Sequence, residues 1–116
     1  MDSILLSIKQ MLGITNDYDY FDPVLIININ SVFSILTQLG VGPEKGFSIE
    51  DENAVWSDYI QDDTNLEFVK SYVYLKTKLL FDPPLSSSVA ESMNNMISEL
   101  EWRINVSVEN DKDGDT

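Results

Sequence analysis

Any side-chain chemistry in this chain must come from carboxylates, amines and phenols, because its 116 residues include no histidine and no cysteine. That composition removes imidazole proton shuttles, thiolate nucleophiles, disulfides and the usual zinc ligand sets together. Four constellations remain. Asp111, Asp113 and Asp115 alternate as a calcium loop opens, but Gly114 stands at the wrong place and no bidentate glutamate follows in the sequence. Trp56 and Tyr59 could stack on a base or a sugar. No basic residue lies between Lys45 and Lys70 to hold a phosphate, however, so the two rings are expected to pack the rim of a core. Lys70, Lys76 and Lys78 concentrate basic charge on one stretch, and on an acidic chain their expected partners are carboxylates, within the subunit or across a contact. The remaining acids occupy solvated positions without the surroundings that perturb a catalytic carboxyl. A carboxylate hydrolase is therefore the weakest functional class, and neither an enzyme nor a cofactor is expected.

Seven basic against twenty acidic residues give a formal charge of −13. Such a surface does not adhere to a DNA backbone or to an anionic membrane. Hydrophobic residues make up 43%, enough for one folded domain of this length but not for two. The start, Met1-Asp2, lacks a basic region ahead of an apolar run. No signal peptide is expected, and the protein is expected to be made and used in a cytoplasm.

The elements that must position these residues are read as helices. Leu5, Ile8 and Leu12 recur at helical spacing within Ile4 to Leu12, and Gly13 is placed to end that short helix. Asp22 reads as the cap of the next helix, with Pro23 at its first position. After the turn Gly40-Val41-Gly42-Pro43, the alternation around Phe47 and Ile49 predicts a short extended segment. Val55, Trp56, Tyr59 and Ile60 predict a short helix capped by Asp51. Two capping signatures, Thr64-Asn65-Leu66-Glu67 and Ser88-Val89-Ala90-Glu91, bracket Phe81-Asp82-Pro83-Pro84. Together they predict an antiparallel helix hairpin, Leu66 to Phe81 and about Val89 to Val106, broken by the prolines. Its apolar lines are Phe68, Tyr72, Leu75 and Leu79, then Leu66, Val69, Val73 and Leu80, and on the second helix Val89, Met93, Met96, Ile97, Leu100 and Ile104. From Ser107 to Thr116 the chain is acidic and poor in apolar residues, which predicts a flexible tail. The expected fold is thus all-α: a bundle of four to five helices over residues 1–106, followed by a disordered acidic tail over 107–116.

Residues 23–43 contain no charge. A membrane span is rejected there, because Asn28, Asn30, Ser31, Ser34, Thr37 and Gln38 interrupt the run and no basic flank anchors it. Within it Leu25, Ile29, Val32, Phe33, Leu36 and Leu39 form an apolar stripe, widened by Val24, Ile27 and Ile35. Two readings stand: a central helix wrapped by its own chain, or a helix whose uncharged polar side meets a neighbouring subunit. The interface reading is preferred, since charge depletion marks the buried part of interfaces. The expected subunit interface is Asn30, Ser34, Thr37 and Gln38, with Lys70, Lys76 and Lys78 as carboxylate partners. At the far end of the hairpin Trp102 stands off the apolar stripe beside Arg103, which makes it either a contact hot spot or a lid over the helix end.

The segments Tyr72-Val73-Tyr74-Leu75-Lys76, Leu79-Leu80-Phe81-Asp82-Pro83-Pro84 and Glu99-Leu100-Glu101-Trp102-Arg103, with the uncharged helix and Gly40-Val41-Gly42-Pro43 before them, give the chain a resemblance over roughly residues 10 to 106. It resembles the head-tail connector, or adaptor, proteins of tailed bacteriophages. The resemblance implies a small helical protomer that forms a ring, commonly of twelve subunits, beneath the portal protein after DNA packaging. Such a ring extends the DNA channel without binding DNA specifically, and presents a surface to the next neck or tail-completion protein. The implied location is the virion neck, reached from the host cytoplasm. Relatives dock a terminal arm on the portal; here the acidic tail from Ser107 is the candidate arm, and Trp102, Arg103, Val106 and Val108 are the candidate residues for docking on the portal or neck partner. An acidic lumen suits such a channel because it repels duplex DNA, and with a Debye length of about 8 Å only residues lining the channel contribute.

The competing class is an acidic DNA mimic that inhibits a DNA-binding enzyme. A mimic needs carboxylates arrayed along a surface. Here the acids are spread over loops and the tail while a whole helix is free of charge, which favours the assembly reading.

Overall fold

The computed structural model describes residues 2–60 and 63–114. Among the described residues there are five helices: α1 (Ile4–Leu12), α2 (Asp22–Gln38), α3 (Trp56–Tyr59), α4 (Asp63–Phe81) and α5 (Ser87–Gly114). Among the described residues there is no strand, only an isolated bridge between Ser3 and Val55. The chain is all-α, as its periodicity predicts.

Ser3 opens α1 by accepting the Leu6 N–H at 3.2 Å. Gly13 closes it, with N–H groups of the turn returning to Gln10 and Lys9 carbonyls. The predicted boundaries hold here because both end signals are local. α1 buries Ile4, Leu5 and Ile8 completely, and also Lys9. The Lys9 ammonium sits 2.9 Å from the Asp22 carboxylate and donates to the Asn16 carbonyl at 3.1 Å. Asp22 is therefore not the helix cap that its place before Pro23 predicts. It is the first residue of α2, and its carboxylate is turned toward Lys9; Phe21 stands at the cap without a side-chain bond.

α2 buries Leu25, Ile29, Val32, Phe33 and Leu36 in one stripe. Phe33 centres an aromatic cluster, with ring centroids 5.1 Å from Phe47, 4.6 Å from Tyr59 and 6.4 Å from Trp56. Trp56 and Tyr59 are thus core residues rather than rim. Trp56 donates its indole N–H to the Ser7 hydroxyl at 2.9 Å, tying α3 to α1. Asp51 does not cap α3: it accepts the Asn53 N–H in the preceding turn, while Asp58 accepts the Val55 N–H at 2.9 Å. The ring of Tyr59 passes so close to Gly42 that a Cβ there would lie 2.5 Å from it, and Gly42 has φ +80°.

α4 is the shared neighbour of the bundle, packing against α1, α2 and α5. It buries Val69, Tyr72, Val73 and Leu75. It begins at Asp63, before Thr64, so the predicted start at Leu66 is late; the side chains of Thr64 and Asn65 lie outside the described residues. After Phe81 the prolines break the helix, and Phe81 stacks edge-on against Phe21, centroids 5.2 Å apart. The cap of α5 is Ser86, whose hydroxyl accepts the Val89 N–H at 3.4 Å, and not Ser88, which lies inside the helix.

α5 departs most from expectation. It runs past Val106 to Gly114, where the composition predicts a flexible tail from Ser107. Extending an existing helix adds a hydrogen bond for each residue fixed, and Val108 gives the extension a packing partner, being half-buried against the core. A Cβ on Gly40 would lie 3.2 Å from a Val108 methyl. α5 buries Ile97 and Ile104, seven residues apart. Val89 and Met96, expected on the same stripe, are exposed, because Met96 is rotated about 100° from Ile97 around the helix. On α4, Phe68 and Leu80 are likewise exposed.

Candidate assembly surfaces

The face of α2 opposite its buried stripe carries Val24, Ile27, Ser31, Ser34 and Gln38, all exposed. Their spacing of three and four residues places them on one line along the helix. Val24 is 50% and Ile27 65% exposed, and no charged residue stands on the helix after Asp22. Of the residues expected at a subunit interface, Ser34 and Gln38 lie on this line. Asn30 and Thr37 do not. The Asn30 amide accepts the Ile49 N–H at 2.8 Å and donates to the Ile49 carbonyl at 3.0 Å, so it holds the segment around Ile49 in place of a strand partner. The Thr37 hydroxyl donates to the Phe33 carbonyl one turn back.

The three lysines do not form a single patch. Lys70 lies over the Trp56 ring, 5.7 Å from its centroid, and Lys76 over the Tyr72 ring of its own helix at 5.9 Å. Lys78 bonds the Asp82 carboxylate at 2.6 Å and fastens the end of α4.

On α5 Trp102 is 64% exposed, which answers the sequence alternative: it is not a lid over the helix end. Beside it Arg103 pairs with Glu99 at 2.8 Å and lies over the Phe68 ring. Val106 and Val108 are half-buried. The fixed point of the hairpin beneath them is the Tyr72 hydroxyl, which donates to the Glu101 carboxylate at 2.9 Å. Burial, the hydrogen bond to Glu101 and the charge of Glu101 raise the Tyr72 phenol well above its usual range, and burial alone does the same for Tyr59. Both remain neutral hydroxyls. Neither is poised as a base.

The geometry is that of a small helical bundle with uncharged exposed faces and long, partly covered helices. The sequence model of the phage connector protein family matches residues 4–111, nearly the whole chain. The chain belongs to the phage connector protein family. No curated protein and no solved structure matches it. As a phage connector it is a structural component of the virion, and its associations are with other phage head and tail proteins. No helix among the described residues is long and apolar enough to cross a membrane.

The sequence marks the polar half of the α2 surface through Ser34 and Gln38 but places Val24 and Ile27 in a widened core stripe, although they begin a line at 24, 27, 31, 34 and 38. The second surface is not marked, since Val89 and Met96 fall on the predicted apolar stripe of the hairpin. The signal that finds the second surface is charge: residues 83–98 hold only Glu91.

Proposed function

We propose that this connector protomer assembles into a dodecameric ring beneath the portal, extends the channel through which the genome passes, and joins the head to the next neck or tail component. The observation that carries this reading is the exposed, charge-free line on α2 in a connector chain of net charge −13. Copies this acidic repel one another over most of their surface, and an uncharged face is where they can meet. Ser34 and Gln38 sit in the lateral contact beside Val24 and Ile27, while Trp102 anchors docking on the portal or neck partner, with Arg103, Val106 and Val108 shaping that end. DNA passes an acidic wall that does not hold it. The family match offers no support for the DNA-mimic reading.

The test is electron microscopy of lysates from the phage carrying an early stop codon in this gene. Packaged or leaking heads beside finished, unattached tails are expected. Normal joined virions would overturn the reading.

A further inference from the structure

The chain has a second charge-depleted exposed surface, on the first half of α5. Leu85 is fully exposed ahead of the helix, and Val89, Ser92 and Met96 share a helix face and are exposed in turn. Val89 is 49% and Met96 52% exposed. Glu91 is the one charge from Pro83 to Ser98. This surface and the α2 line lie on separate elements: α4 packs against both α2 and α5. The α2 line from Val24 to Gln38 spans about 21 Å and the Val89–Met96 face of α5 about 10 Å, at the helical rise per residue, so the shorter face fits within the longer line.

We infer that these two surfaces are the two halves of one head-to-tail contact, with the Val89–Met96 face of α5 on one copy seated on the Val24–Gln38 line of α2 on the next. The inference rests on the ring reading and deepens it. A closed ring needs a heterologous contact, in which each subunit offers two different patches. A basic partner would be drawn to the acidic loops and the end of α5, and gains nothing from either neutral surface. A second copy is repelled by those acids and finds only the neutral surfaces free of repulsion. Apolar groups stand in both, Val24 and Ile27 on one and Val89 and Met96 on the other, within small polar surroundings, as in the charge-poor centre of an interface. Seated this way, α5 of one copy continues into α2 of the next, so the series α2–α4–α5 repeats around the ring.

The absence of cysteine makes the test direct. Ile27→Cys and Met96→Cys, made singly and together, are oxidised at rising protein concentration, with native mass spectrometry of the unmodified protein alongside. Both positions are exposed, so the core is untouched. The double variant is expected to give a ladder of covalent oligomers. An equal mixture of the single variants should give dimers and nothing larger, and each single variant alone should give none. Dimers from Ile27→Cys alone would mean that α2 meets α2, which overturns the pairing. Rings of unmodified protein without a ladder would overturn the pairing and leave the ring intact. Neither rings nor ladder at any concentration would overturn both.

Discussion

The ammonium of Lys9 is fully buried and lies 2.9 Å from the carboxylate of Asp22, which keeps a quarter of its surface in water. The contact is an ion pair rather than an aligned hydrogen bond, and it fastens α1 to the start of α2 across the tyrosine-rich loop. Breaking a buried pair costs most when the deeper charge is left alone. Asp22→Ala strands the lysine and should destabilise by about 3–5 kcal/mol. Lys9→Met leaves a carboxylate that water reaches and refills the volume, so its loss should be clearly smaller. Urea unfolding of the two variants measures the order; equal losses, or a larger one for Lys9→Met, would contradict it.

Gly42→Ala tests the turn after α2. A methyl group there meets the Tyr59 ring at 2.5 Å in a backbone conformation of positive φ. Overpacking and left-handed strain together should destabilise by about 1–3 kcal/mol. Tyr59→Leu in the same background removes the clash and should recover part of the loss, read as a shift in the urea midpoint.

The Tyr72–Glu101 bond sets an alkaline limit. Because the folded phenol titrates above the unfolded one, its contribution is fully present below about pH 10, the unfolded value. It is lost as pH rises through the folded value, since the unfolded chain releases its proton first. Tyr72→Phe should cost about 1 kcal/mol at neutral pH and flatten the fall in stability above about pH 10. Unchanged alkaline sensitivity would place the effect elsewhere, with Tyr59 the next residue to test.

The assembly surfaces separate folding from association. Ser34→Glu puts an unpaired charge on an exposed, neutral line, so its melting behaviour should stay within about 0.5 kcal/mol of the parent while ring formation is lost. Trp102→Ala should likewise spare folding and weaken docking on the portal or neck partner. A large drop in thermal stability for either variant would assign that residue to the core.

The bundle was legible in the sequence because local signals carry it. Gly13, the prolines after Phe81 and the stripe from Leu25 to Leu36 specify helix ends and a buried face without reference to the rest of the chain. What was misread depends on distant partners. Asp22 looks like a cap until Lys9 is seen beneath it, and the two hydrogen bonds of Asn30 reach Ile49, a partner no local signal announces. Val89 and Met96 flank Ile97 on a helical wheel at about 80–100°, and α4 covers only one side of α5. The helical extension to Gly114 was hidden because composition argued for disorder, while the contact that supports it, Val108 near Gly40, joins residues far apart in the chain.

The most direct measurement is electron cryomicroscopy of the neck in virions of the phage that encodes this chain. The account predicts a closed ring of copies immediately below the portal, with the charge-free line of α2 in each copy covered by its neighbour. Density for this chain elsewhere in the particle, or a ring in which that line faces solvent, would contradict it.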